Sequence, residues 1–306
     1  MQSDPRLYDS LRRLESTTVD DSSELAEVSS VEGVPRANRS SSGLTIFIPN
    51  WNYESVLPRA LKGAFEAVSA LQSEGFSGEI LVIDDGSRDG SVKLLRTIQA
   101  NYGREDLRVI SLRKNYGQAR VTNLALQIAS HRYVLRLDAD NQLVPQNVAT
   151  FLRSSIETEA SLLYGNVITL ENGQVEEDKG IVSNMPATLY LTYTNYIDAL
   201  CIMDAFDLME LGGYTRVNPY STEDWEMNMH LVAHENLIVF VPLLMGYYHK
   251  GEQSASTELE VTDVGVKTIK RIYAQGGPRS WDKKRVGRIY YPQVGFLDEW
   301  DDYGQS

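Results

Sequence analysis

From Leu44 onward the chain alternates between two textures. The runs LTIFIP (44–49), EILVIDD (79–85), LRVISL (107–112) and YVLRLD (133–138) are almost continuously apolar, as in strands buried on both faces of a sheet. Between them, SVLPRALKGAFEAVSALQSEG (55–75), DGSVKLLRTIQANYG (89–103) and GQARVTNLALQIAS (117–130) carry apolar residues at helical spacing. The first closes on a glycine and the second opens at Asp89 as its cap. Strands alternating with helices predict an α/β fold: a mainly parallel sheet, right-handed crossovers and helices on both faces.

The second half is less regular. SLLYGNVITL (161–170) reads as a strand, DLMELGGY (207–214) as a helix ending in a glycine turn, and TEDWEMNMHLVAHE (222–235) as a helix. LIVFVP (237–242) is a strand stopped by proline, and ELEVTDVGVKTIKRIYAQGG (258–277) a late helix. Residues 1–43, rich in Ser and acidic residues with few aromatics, read as a disordered tail. Within it, PRLYDSLRRLES (5–16) has the makings of a short helix. The expected organisation is therefore a tail (1–43), a main domain (44–250), and a C-terminal helix and tail (251–306) with a basic stretch at 279–288. No internal repeat is visible.

Composition narrows the function. With 42% hydrophobic and 23% charged residues the chain is of the soluble globular kind. Its net charge of −13 argues against nucleic acid and anionic membranes as main partners. A phosphate-bearing ligand would then need a local basic patch or a metal. Cys201 is the single cysteine, expected to be free and buried, which suits a reducing compartment. No run reaches the roughly 20 apolar residues of a membrane helix, and no signal-peptide pattern opens the chain. A cytoplasmic location is expected, with peripheral contact to the inner face of the membrane left open.

The chemistry lies where the strands stop. Ligands of open parallel sheets bind beyond the carboxyl ends of the strands. Here those ends read PNWNY (49–53), Asp84 and Asp85, RKNYG (113–117), and Asp138 with Asp140. Asp138 and Asp140 point the same way on an extended chain, so something positive must relieve their repulsion. A receiver domain of signalling proteins also gathers aspartates at strand ends. It needs only about 120 residues, however, and leaves the Asp138–Asp140 pair and everything beyond residue 150 unexplained.

TIFIPNWNYES, EILVIDDGSRDGS, NYGQARVTNLALQIASHRYVLRLDADNQLVP and GGYTRVNPYSTEDWEMNMHL together resemble the ordered blocks of family-2 glycosyltransferases of the GT-A fold, over roughly residues 44–250. The resemblance implies a Rossmann-like nucleotide-sugar half (44–142) and an acceptor half (143–250). It implies that Pro49, Asn50 and Tyr53 line the nucleoside pocket and that Asp85, or Asp84, accepts a hydrogen bond from the base. The alternative is that the two aspartates only cap the DGS turn. Asp138-Ala139-Asp140 matches the DxD motif, implying Mn²⁺ or Mg²⁺ held at Asp140 with Asp138 nearer the ribose. His249 is a further candidate ligand or diphosphate contact. Lys250, Lys114 and Arg120 are candidates for the diphosphate, while His131, His230 and His234 are expected to be structural.

TEDWEM carries the family's ED motif. By resemblance Asp224 is the general base and Glu223 orients the acceptor or tunes that base, although carboxylates at a helix start are also plain caps. Tyr214 and Trp225 could stack on an acceptor sugar or belong to the core. The implied reaction is a single displacement with inversion, moving a sugar from a nucleoside-diphosphate donor, UDP being the commonest, to a saccharide or lipid-linked acceptor.

Two departures matter. Where many members have ARN, this chain has VTN (121–123), which places Thr122 at the arginine position and leaves Arg120 two residues early. NYGQ and DADNQLVP also resemble the polyprenyl-phosphate sugar transferases, whose phosphate acceptor needs no base; the EDW block favours a hydroxyl. An inactive sugar-nucleotide-binding module would be expected to have a broken DxD or ED motif, and both are intact.

Overall fold

The computed structural model describes residues 33–102, 106–175, 181–182, 195–214, 223–250 and 288–297. The short helix at 5–16, the tail as far as residue 32, the late helix at 258–277, the basic stretch up to residue 287 and the acidic end lie outside the described residues.

The first half runs β1 (Ser40–Asn50), α1 (Leu57–Ser73), β2 (Ser77–Asp84), α2 (Ser91–Tyr102), β3 (Leu107–Ser111), α3 (Gln118–Ile128) and β4 (His131–Arg136). Parallel pairing joins β1 to both β2 and β4, and β2 to β3. The continuous apolar runs follow from this placement, because alternate side chains enter two different cores. Leu44, Ile46 and Ile48 pack with α1, whereas Phe47, Leu81 and Ile83 pack with α3. Each such side chain contributes about 1.5–3 kcal/mol when fully buried, so neither face tolerates a polar break.

β1 begins at Ser40, ahead of its apolar run. Ser40 N–H donates to Ser130 O (3.1 Å), and the Arg39 guanidinium donates to the carbonyls of Leu126 and Gln127 at the end of α3. Polar residues thus extend the strand by backbone pairing, which hydrophobic patterning does not register.

The second half adds β5 (Gln142–Leu143), α4 (Val148–Thr158), β6 (Leu162–Glu171), β7 (Gln174–Val175), β8 (Ile181–Val182), β9 (Cys201–Asp204), α5 (Ala205–Glu210), α6 (Glu223–Ala233), β10 (Ile238–Lys250), β11 (Arg288–Tyr291) and β12 (Gly295–Leu297). Among the described residues the sheet order is β12-β11-β10-β6-β9-β4-β1-β2-β3. Short β9 lies antiparallel between β4 and β6. It buries Cys201, the free thiol, and its final Asp204 caps α5 through Phe206 N–H (2.9 Å).

β10 corrects the expectation of a strand ending at Pro242. The proline falls inside a register shift between Phe240 and Leu244, where a missing N–H breaks no ladder. The strand then continues to Lys250, and β5 pairs Gln142 and Leu143 with Tyr247 and Gly246. A Cβ on Gly246 would lie 2.4 Å from the Gln142 carbonyl, so this approach requires glycine.

At the opposite, amino-terminal ends of the strands a closed polar network replaces apolar packing. Thr45 Oγ1 donates its only proton to Glu79 Oε2 (2.7 Å), so His131 Nδ1, 3.0 Å away, must donate to Thr45. Nε2 is left to accept from the Ser77 hydroxyl (2.9 Å). His131 is therefore the neutral Nδ1–H tautomer, its pKa lowered by burial and held up only in part by Glu79. Below its unfolded pKa of about 6.5 the unfolded chain binds a proton that the folded one resists, so this contribution to stability is present above about pH 6.5 and lost on acidification. Urea unfolding at pH 7.5 and 5.5 should show a smaller pH difference for His131→Asn than for wild type; equal differences would remove the histidine from the linkage.

Candidate active site

The carboxyl ends of β1 to β4 lie side by side, so the polar residues that follow them share one rim. The loops after β1 and β2 are locked together. Asn52, at a left-handed φ of 59°, donates its N–H to Ser87 Oγ (2.8 Å) and accepts from Arg88 N–H (2.7 Å). Glu54 N–H reaches Asp89 Oδ2 (3.0 Å). A cleft of about 390 Å³ opens between these loops and the one after β3, bordered by Trp51, Ser87, Arg88, Arg113 and Lys114. Trp51 is 50% exposed there, a large ring left in solvent at the mouth of a basic cleft.

Asp84 and Asp85 divide their work. Asp84 is buried and accepts from Asn50 Nδ2 (2.7 Å), Ser87 Oγ (2.6 Å) and Ser87 N–H (3.0 Å), organising the DGS turn. Asp85 accepts the N–H groups of Tyr116 (2.7 Å) and Gly117 (2.9 Å) and so shapes the loop after β3. Burial pushes its carboxyl up to about 7, against the Gly117 bond and with Asp84 adding. Pro49 stands beside Ile83 on β1, half-buried. Lys114 Nζ lies 5.2 Å from the Tyr116 ring.

The two aspartates after β4 have unlike surroundings. Asp138 is paired with Arg136, two residues earlier on the same face: Nε donates to Oδ1 (2.9 Å) and Nη2 to Oδ2 (3.4 Å). Arg136 is 3% exposed, and its pKa is raised because Asp138 and other anions outweigh the cost of burial. Asp140 instead accepts from the Tyr53 hydroxyl and is buried; desolvation, then Asp138, push it up to about 6. Arg59 on α1 donates to the Asp140 carbonyl (2.5 Å), tying the loop and helix after β1 to the motif. Ala139 points the other way, into the core.

His249 reaches this place only because β10 continues past Pro242: its N–H donates to Asn141 Oδ1 (3.3 Å). Among the described residues, however, no three His, Cys, Asp or Glu side chains form a ready-made metal cluster. Asp138, Asp140 and His249 are thus neighbours in the fold without being a preformed ligand triad. Lys250 lies 3.6 Å from Glu171. Arg120, a candidate for the diphosphate, occupies the first turn of α3, half-buried, while Asp138 is paired with Arg136. The neighbouring Asn123 serves the fold. It accepts from Tyr214 N–H (2.7 Å) and donates to Tyr214 O (2.8 Å), holding the LGGY turn, where Gly213 has a φ of 72°.

Across Arg136 from Asp138, α6 opens with Glu223 and Asp224. Asp224 Oδ1 accepts Trp225 N–H (2.7 Å) and Oδ2 accepts Asn195 Nδ2 (2.9 Å). Burial raises its pKa while Arg136 opposes the rise, and Glu223 is raised in the same way. Between a carboxylate and a guanidinium only one orientation of the Gln118 amide is chemically sensible: Nε2 donates to Glu223 Oε1 (2.9 Å) and the oxygen accepts from Arg136. Asp198 completes the cluster. Burial pushes it up to about 6, opposed by the Leu200 N–H it accepts (2.8 Å).

Of the two readings of Tyr214 and Trp225, acceptor stacking or core, their burial fits the core. They are 5% and 3% exposed, they pack in the second core, and Tyr214 OH donates to Met203 Sδ (3.2 Å). His131 lies at the far end of the strands, and His230 and His234 at the far end of α6. Sequence reasoning passed over Trp51, Arg136, Gln118 and Asp198. Arg136 had a signal, a charge inside an apolar run with the parity of Asp138; the others had none of comparable strength.

A mainly parallel sheet with one acidic motif at the end of a central strand and another at the start of a facing helix has the architecture of the GT-A fold. The family model for glycosyl transferase family 2 matches residues 45–206, and the chain belongs to that family. Among curated relatives, an undecaprenyl-phosphate 4-deoxy-4-formamido-L-arabinose transferase from Pseudomonas fluorescens is 31% identical over 131 residues, 43% of this chain and 36% of the relative. A human dolichyl-phosphate beta-glucosyltransferase is 30% identical over 99 residues, 32% of this chain and 31% of the relative. The chain thus spans about a third of the length of these relatives. S. aureus TarS, solved in complex with UDP-GlcNAc, shares the fold with a TM-score of 0.58 at 17% identity, over 78% of this chain and 68% of that one. Among the described residues no helix is long and apolar enough to cross a membrane.

Proposed function

We propose that the chain transfers a sugar, with inversion, from a uridine diphosphate donor to a hydroxyl of a saccharide or lipid-linked acceptor. The observation that supports this most is the approach of the two acidic motifs, Asp138 and Glu223–Asp224, to a single buried guanidinium. The nucleoside would occupy the cleft beside Trp51, next to the loop that Asp85 shapes. The diphosphate would then run past Tyr53 toward Asp140. That TarS was solved with UDP-GlcNAc and also with UDP supports uridine as the base.

The donor set also fits a hard divalent cation. Asp140 is a buried carboxylate raised by burial and Asp138, with Tyr53 as its hydroxyl partner, and Mg²⁺ or Mn²⁺ is commonly held by one or two carboxylates plus substrate phosphates. Asp140 would hold the ion, with Asp138 and His249 alongside. When bound, it would neutralise the departing diphosphate. Asp224, its two oxygens oriented by Asn195 and Trp225, would remove the acceptor proton, and Glu223 would orient the acceptor.

A second reading, a lipid phosphate as acceptor, is favoured by the names of the curated relatives. Such an acceptor arrives ionised, which leaves Asp224 with no proton to remove. A thermal-shift screen of nucleotide sugars with and without Mn²⁺ tests the donor. UDP-sugars should raise the melting temperature most, since a ligand at a hundred times its Kd stabilises by about 2.7 kcal/mol. No shift with any nucleotide sugar would overturn the reading.

A further inference from the structure

We infer that Arg136 is a positioning residue that sets the acceptor-side carboxylates against the leaving-group motif through Gln118. Burying an arginine costs several kcal/mol unless its donors are used, and here Nε and Nη2 are used on two segments and reach a third through Gln118. Nε and Nη2 grip Asp138 at the end of β4, Nη2 also donates to Gln118 at the start of α3, and Gln118 passes the link to Glu223 at the start of α6. These bonds form a continuous hydrogen-bonded bridge between the two motifs. Glu223 adjoins Asp224, whose oxygens are already fixed by Asn195 and Trp225 N–H. The separation of base and leaving group is therefore set by a side chain that is 3% exposed. Nη1 is buried with no hydrogen-bond partner among the described residues, so the guanidinium is held for the bridge and is not fully satisfied by it.

The catalytic part of this inference rests on the glycosyl-transfer reading. Donor and products exchange at each turnover, whereas Arg136 is a fixed charge that keeps the facing carboxylates in place between turnovers. Geometry of this kind governs transfer to an acceptor more than binding of the donor, and displacement of a reacting group by about 1 Å can cost roughly 100-fold in rate.

Gln118→Leu breaks the bridge while leaving the Arg136–Asp138 pair intact, and is the mildest test. Transfer should fall by about 10- to 100-fold, with donor KM within about twofold and hydrolysis of the donor by water within about threefold. Arg136→Lys should transfer at least about tenfold faster than Arg136→Met, because the charge survives and the fork does not. Equal losses of transfer and hydrolysis in Gln118→Leu, or no loss in either, would overturn the positioning role, as would a lysine variant no better than methionine. A readout independent of turnover covers a failed donor assignment. Melting temperatures of Gln118→Leu, Glu223→Ala and the double variant should depart from additivity by about 2 °C or more. Additive losses would break the bridge even if the wild type turned over every donor offered, whereas a wild type inert to all nucleotide sugars with non-additive melting would indict the donor reading alone.

Discussion

Asp224→Asn is expected to reduce transfer to a hydroxyl acceptor by about 100- to 10,000-fold, the usual contribution of a positioned general base. The amide preserves the shape of the side chain and can still accept from Asn195, so donor affinity measured by calorimetry should stay within about twofold. It cannot take a proton. The environment of Asp224 suits a base, because burial raises its pKa above the ordinary aspartate range while Arg136 keeps the ionised form accessible. Activity requires the ionised base, so the rate should fall as pH drops through this raised pKa, and the acid limb should lie above the ordinary aspartate range. A near-normal rate for Asp224→Asn would place the base elsewhere, with Glu223→Gln the next variant to measure. The same variant separates the two acceptor readings. If a polyprenyl phosphate is glycosylated at full rate by Asp224→Asn, the acceptor was already ionised and the hydroxyl reading fails.

What the residue pattern disclosed depended on how many faces of an element are buried. β1 and β2 send alternate side chains into two cores, so their apolar runs are unbroken and their carboxyl ends could be located directly. β9 is four residues long and antiparallel, too short for any period to appear. β10 reads as stopping at Pro242 because proline usually punctuates a strand, yet a register shift absorbs it. That extension is what brings His249 beside the Asp140 loop. Aromatic residues next to a motif were ambiguous by type alone: Tyr214 and Trp225 belong to the core, whereas exposed Trp51 stands at the cleft. The need for a positive group near Asp138 and Asp140 followed from charge alone. That Arg136 supplies it to Asp138, from within the same strand face, is visible only in the folded chain.

Asp140→Asn should show opposite effects on stability and activity. In the folded chain without metal, Asp140 is pushed from 3.8 up to about 6 by burial and then by Asp138. A carboxyl whose folded pKa is raised binds more protons folded than unfolded between those two values, so its ionisation lowers stability as pH rises from about 4 to 6 and the penalty persists at neutral pH. An upper bound near 3 kcal/mol follows at about 1.4 kcal/mol per unit, reduced in practice by residual solvent. The asparagine variant escapes this penalty, and its metal-free form should melt higher than wild type at pH 7.5. It should also lose turnover by at least about 100-fold, since stabilising the charge on a leaving diphosphate is worth several kcal/mol. Mn²⁺ should raise the melting temperature of wild type and not of the variant, because the cation relieves a repulsion that asparagine no longer presents. Lower stability of Asp140→Asn without metal would mean that the carboxylate is a structural anchor for Tyr53. Unchanged turnover, or wild-type turnover in chelator, would separate Asp140 from the metal.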